Sequence, residues 1–284
     1  PAGMEAARVA AERGHETIVH EAMNNPGGQV RLTAQSEKRR EMISIIDWRY
    51  EECQRMGVTF HFDSFADGET LLAENPDIVI IATGGLPHTE VLTQGNELVV
   101  STWDILAGDP KPGRNVLIYD DAGDHAALQA AETIASSGAK VEIVTPDRAF
   151  APEVMAMNLV PYMRSLQALD VTFTVTWRLL SVRKEGDELV AVLGSDYGDM
   201  QRERRFDQIV VNHGTRPLDE VYFELKSRSS NLGEVDHEDL VKGLPQSVRS
   251  NPDGAFQLFR IGDAVASRNT HAAIYDALRL LKDL

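Results

Sequence analysis

Two carboxylates and a set of strand-end glycines are the residues of this sequence whose spacing could do chemistry, and that chemistry is nucleotide binding. Pro1-Ala2-Gly3 opens a small-residue helix carrying Ala6, Ala7, Ala10 and Ala11. A glycine at such a start lets helix and strand backbones approach closely, with the helix N-terminus directed at a pyrophosphate. Alone this is weak, because alanine-rich helices are common. Glu21 closes the short β-type run Glu16-Thr17-Ile18-Val19-His20-Glu21, 18 residues beyond Gly3. A carboxylate at that place can bind both hydroxyls of an adenosine ribose; the plain alternative is a surface glutamate. A third signal is the apolar run Asp77 to Ala82 followed by Thr83-Gly84-Gly85-Leu86-Pro87. A buried strand ending in Ala82-Thr83-Gly84 lets the chain turn sharply beside a dinucleotide. The fourth is Ile261-Gly262-Asp263-Ala264 before the last helix, where an Asp can hydrogen-bond sugar or ribityl hydroxyls.

Alternating strands and helices must hold these residues. Short strands are expected at 16–21, 58–62 and 77–82, with a helical pattern over 36–56. Gly108-Asp109-Pro110-Lys111-Pro112-Gly113 is dense in breakers and reads as a linker. Beyond it the pattern restarts with strand 116–119, helix 126–137 ending at Gly138, and strand 140–145, a second βαβ unit. A helix over 152–169 follows, then strands at 171–176, 179–184, 188–194, 204–212 and 256–261, and a final helix from 270. The expected fold class is α/β, with two Rossmann-like three-layer domains. One is discontinuous, 1–110 plus 230–284; the other, 111–229, is inserted in it.

Composition bounds the reading. The chain has 284 residues, a formal net charge of −16 and 43% hydrophobic residues, an ordinary globular composition. A pI of about 4.9 argues against nucleic acid as a partner. No apolar run approaches the ~20 residues of a membrane span. Cys53 is the single cysteine, so no internal disulfide, Cys-rich zinc site or iron–sulfur cluster is held by this chain alone. Its surroundings read as an inert helix cysteine. No secretory signal is evident, which fits the cytoplasm. The opening at Pro1, inside a helix and without an initiator Met, reads as a fragment that lacks a preceding strand and two glycines.

The four signals in this order, with Glu21-Ala22-Met23-Asn24-Asn25-Pro26-Gly27-Gly28-Gln29-Val30, resemble the C-terminal portion of the trimethylamine dehydrogenase and 2,4-dienoyl-CoA reductase family. The resemblance implies a first domain that binds FAD or its ADP part through Gly3, Glu21, Gly28, Gln29, Arg31, Ala82, Thr83, Gly84, Gly262 and Asp263. For Arg31 a role in neutralising phosphate and a surface role stand side by side. In the full-length protein it implies an N-terminal barrel with FMN and a four-iron–four-sulfur cluster as this chain's partner domain. The second domain departs from the family's nucleotide-reducing members. Its turn reads Asp120-Asp121-Ala122-Gly123-Asp124-His125, with Asp120, Ala122 and His125 in place of the glycines. Acids there would repel a pyrophosphate. NAD(P) binding is therefore expected to be lost, which favours the amine dehydrogenase or demethylase branch. That branch passes electrons to an electron-transfer flavoprotein. The alternatives are an NAD(P)H-dependent reductase module and a non-catalytic binding domain. A homo-oligomer is compatible with either.

No residue stands out as a catalytic acid, base or nucleophile, and no histidine spacing suggests a metal. Asp120 and Asp121 read as solvated turn acids rather than metal ligands. His213 is expected to be structural or to line a cleft, and His271 to be a cap or exposed. Trp103 and Trp177 read as packing anchors, and Glu37-Lys38-Arg39-Arg40-Glu41 as a solvated helix face.

Overall fold

Short apolar runs become parallel strands, and alanine-rich segments such as Ala2–Glu12 and His125–Ser136 become helices beside them. The protein is described here by a computed structural model covering residues 1–282; the last two positions of the expected 230–284 segment lie outside the described residues. The chain forms two compact units. The first is built from Pro1–Arg31, Glu41–Leu86 and the chain from Thr215 onward, the second from Leu32–Arg40 and Pro87–Gly214. No helix is long and apolar enough to cross a membrane, among the described residues.

In the first unit, helix Ala2–Glu12 buries Ala2, Ala6 and Val9 against Ala273, Ala277 and Leu280 of helix Thr270–Leu281. Alanine on both faces is what permits this approach. Ile18–His20 pairs in parallel with Thr59–His61, and Ile78–Ile81 with Gln257–Arg260. Glu5, 4% exposed, is held by Arg8 and by Arg49 of helix Ser44–Arg55, at 2.9 and 2.7 Å, which ties that helix to the first.

The second unit carries a five-stranded parallel sheet in the order Val100–Ser101, Gln208–Asn212, Asn115–Asp120, Lys140–Val144, Thr172–Thr174. Helices His125–Ser136 and Ala156–Ala168 pack on one face around Ile118, Leu128, Ile134, Ile143 and Leu166. The other face, through Leu117, Tyr119 and Ile209, meets Leu179, Val182, Ala191 and Leu193 of an antiparallel sheet. That sheet is Gln201–Phe206, Glu188–Gly194, Arg178–Glu185. The result is three layers on a buried parallel sheet, as its continuous apolar strands require.

Several expectations are corrected. The run 204–212 is two strands in two different sheets, broken at Asp207, whose carboxylate accepts the Arg114 and Asn115 N–H groups at 3.1 and 3.0 Å. The helical pattern over 36–56 is a 3₁₀ segment, Glu37–Ile43, followed by helix Ser44–Arg55. The helix expected from 152 starts at Ala156, because residues 151–154 form a turn, closed by the Val154 N–H on the Ala151 carbonyl, in which the Glu153 N–H donates to the Gly123 carbonyl. Residues 37–41 are not simply a solvated face. Lys38 and Arg39 pair with the buried Glu132 at 2.8 and 3.2 Å, and the Arg39 guanidinium lies 3.8 Å from the centre of the Tyr162 ring. The two compact units change over at Leu86/Pro87 and Gly214/Thr215. Val100–Ser101 extends the second sheet, while Tyr222 and Leu225 of helix Glu220–Lys226 pack under Val79, Ile81 and Leu258.

Cys53 is fully buried, and burial pushes its thiol up to about 11. A thiol-specific disulfide reagent at mildly alkaline pH is therefore expected to leave the folded protein unlabelled and to label Cys53 fully in denaturant. Rapid labelling of the native protein would contradict this burial.

Candidate functional site

Gly3, Glu21, Gln29, Ala82, Gly262 and Asp263 of the first unit lie around the N-terminus of helix Ala2–Glu12. A Cβ on Gly3 would lie 3.2 Å from the Ala82 Cβ, so helix and strand meet as closely as a dinucleotide fold needs. The charged residues nearest the Pro1 nitrogen, at the start of this helix, are Arg49, Glu21 and Asp263. Both selected carboxylates thus face this helix start. Gln29 Nε2 donates to Asp263 Oδ2 at 3.0 Å, across 234 residues of sequence. The Arg268 backbone N–H donates to Asp263 Oδ1 at 3.3 Å. Burial raises the Asp263 carboxyl above its ordinary value, and the Arg268 and Gln29 hydrogen bonds oppose the shift.

Glu21 is half-buried and accepts the Met23 N–H at 3.0 Å, which fixes the turn that follows. Gly28 adopts φ +52° in open space, and Gly84 φ +74°, both left-handed conformations that suit glycine. Thr83 spends its hydroxyl on the Leu218 carbonyl, and the Leu218 N–H returns a bond to the Gly84 carbonyl. Those two positions shape the crossover strands Gly85–Pro87 and Thr215–Pro217. Arg31 lines a cavity together with Asn24, Asn25 and Pro26, the segment that follows Glu21.

Gly262 is the tightest point. It has φ +61°, and a Cβ there would lie 2.9 Å from the Ala2 Cβ. Gly262→Ala is expected to destabilise by about 1–3 kcal/mol through strain and overpacking. The check is the denaturation midpoint; an unchanged midpoint would refute the close approach.

The second unit's equivalent turn is filled by its own side chains. Asp120 is 1% exposed, which corrects its reading as a solvated turn acid. Its Oδ1 accepts the Gly123 N–H at 3.0 Å and Asn212 Nδ2 at 2.9 Å. Burial is the main reason its carboxyl is raised to about 7. Asp124 caps helix His125–Ser136 by accepting the Ala126 N–H at 2.9 Å, and Asn212 Nδ2 also donates to it. A carboxylate therefore sits at the helix end where a pyrophosphate would lie. Asp121 is half-buried and meets His213 Nδ1 at 3.0 Å. His213 is a buried structural partner of this turn, its side chain 2% exposed. Among the described residues no cluster of three or more His, Cys, Asp or Glu could hold a metal ion. His271 stacks at 6.3 Å on Tyr275, and Arg202 lies 4.5 Å from the Trp177 ring centre.

Sequence reasoning missed Asn212, Arg268 and Arg49. Asn212, a polar residue ending the apolar strand Gln208–Asn212, was a readable signal. The two arginines act across folds of the chain that no local pattern reveals.

No family model matches the chain. It is 73% identical, over its full length, to a probable N-methylproline demethylase from Rhizobium meliloti. It is 45% identical, again over its full length, to an N,N-dimethylglycine/sarcosine dehydrogenase from Chromohalobacter salexigens. The chain spans 42% of the length of each of these curated relatives. Among solved structures it is similar to histamine dehydrogenase from Rhizobium sp. 4-9, with a TM-score of 0.81 at 23% identity, covering all of this chain and 42% of that one. That likeness shows the fold, two Rossmann-like units of the FAD/NAD(P)-binding kind. The chain belongs to the trimethylamine dehydrogenase and 2,4-dienoyl-CoA reductase family, and corresponds to the C-terminal 42% of its amine-demethylating and amine-dehydrogenating relatives.

Proposed function

We propose that this chain is the nucleotide-binding portion of a longer flavin oxidoreductase that removes electrons from an N-methylated amine or amino acid. The first unit binds the ADP part of an adenine dinucleotide, as ADP itself or as FAD. The observation that carries this reading is the meeting of Gln29 and Asp263 at 3.0 Å beside the helix start that Glu21 also faces. The donor set fits the group. Glu21 accepts from ribose hydroxyls, Gly3 opens the helix end to the pyrophosphate, and Asp263, oriented by Gln29, accepts from sugar or ribityl hydroxyls.

In the whole protein, FMN held in an N-terminal barrel would supply the two-electron oxidation of the amine, with a four-iron–four-sulfur cluster held by the segment after the barrel. The residues of this chain bind and orient; none takes a catalytic role. The second unit does not bind NAD(P)H, because Asp124 occupies its helix N-terminus and Asp120 and Asp121 flank it. Electrons leave to an acceptor protein of the electron-transfer flavoprotein type. The names of the relatives that share 73% and 45% identity support the amine substrate class. The test is chromatography of an acid extract of the full-length protein. ADP or FAD near one equivalent supports the reading; absence of both overturns it.

A further inference from the structure

The first unit holds a cavity of mixed polar and apolar lining, whose lining does not include Gln29 or Asp263. Its volume is about 220 Å³, and Asn24, Asn25, Arg31, Asp47, Tyr50 and Phe62 line it. Drug-sized ligands occupy roughly 300–1,000 Å³, so this space suits a small molecule. Two observations define its chemistry. Arg31 Nε is enclosed without a hydrogen-bond partner. Neither Arg31 nor Asp47 makes an ion pair among the described residues, although both line the same cavity. A guanidinium and a carboxylate are thus held on one wall system and left unmatched.

The geometry points to a binding site for a small zwitterionic amino acid with an N-methylated nitrogen. Arg31 presents its planar donors to the ligand carboxylate. Asp47, in the first turn of helix Ser44–Arg55, faces the cationic nitrogen. Tyr50 and Phe62 form an aromatic corner, ring centres 6.0 Å apart and 64° inclined, against which N-methyl groups gain cation–π attraction. Ile46, 1% exposed, supplies an apolar wall. A zwitterion gives the enclosed Arg31 Nε an acceptor and the exposed Asp47 a counter-charge at the cavity rim. It also carries no net charge into a chain of −16. Gly27 makes room for the arrangement: a Cβ there would lie 3.0 Å from the Arg31 Cγ and 3.1 Å from the Ile46 Cγ2.

The experiment is isothermal titration of the full-length protein with glycine betaine, with tetramethylammonium and acetate as single-charge controls. Saturable betaine binding is expected, weakened about tenfold or more in Arg31→Met and in Asp47→Asn, with the controls binding far more weakly. Asp47 is exposed, so its variant keeps the fold even where Arg31→Met does not, and it then decides alone. Absent betaine binding, binding unchanged in Asp47→Asn, or equal binding of either control overturns the proposal. Adenine nucleotide content of the same samples, expected unchanged in Asp47→Asn, reports separately on the nucleotide reading.

Discussion

Asp263→Ala is expected to strip most of the adenine nucleotide from the purified full-length protein. A hydrogen bond to a charged acceptor is worth about 1.5–3 kcal/mol, and each 1.4 kcal/mol is tenfold in affinity. Removing the carboxylate deletes that acceptor and also leaves the Gln29 amide without its 3.0 Å partner. Loss of about ten- to a hundredfold in affinity follows. Glu21→Gln keeps the shape of the ribose-facing side chain and its bond to Met23, but removes the charge and half of the acceptor capacity. Its expected loss is smaller, about tenfold. The measurement is nucleotide per protein after gel filtration, then a dissociation constant from titration of the depleted protein. Retention of full nucleotide in Asp263→Ala would remove Asp263 from the site and leave the first unit's reading without its main support.

Legibility in the sequence follows the range over which each residue acts. Gly3, Glu21 and Gly262-Asp263 stood out because residue type and position at a strand or helix end carry the information, and both are local. The parallel strands 78–81, 115–120 and 140–144 were legible for the same reason, as apolar runs bounded by breakers. What was not legible depends on distant partners. Lys38 and Arg39 look like a solvated charge run until Glu132, more than ninety residues on, is seen buried beneath them. The break at Asp207 is set by the backbone of Arg114 and Asn115. Asp120 is the sharpest instance. An acid in a turn reads as solvated, and only the fold reveals the Asn212 amide and Gly123 N–H that hold it inside.

That buried acid makes the second large prediction, a stability that falls as the pH rises through the neutral range. The Asp120 carboxyl moves from an ordinary value of 3.8 to about 7 on folding, because burial disfavours its charged form. Below pH about 4 it is protonated in both states and costs nothing. Between there and about 7 the folded state holds a proton that the unfolded chain has released, and stability drains away. Above about 7 the full cost of a buried charge is present, on the order of 4 kcal/mol as an upper bound. Other carboxylates titrate in the same range, so the informative quantity is a difference between variants. Asp120→Asn isolates it, because both observed donors bind the single atom Oδ1, which the amide oxygen replaces, and only the charge is lost. Asn and Asp at 120 are expected to give similar denaturation midpoints near pH 4. The variant's advantage should then grow through pH 5 to 7 and level off by pH 8. A constant difference across that range would mean that Asp120 is not neutralised by burial. The same substitution leaves Asp124 on the helix N-terminus, so the added stability should come without any gain of NADH binding.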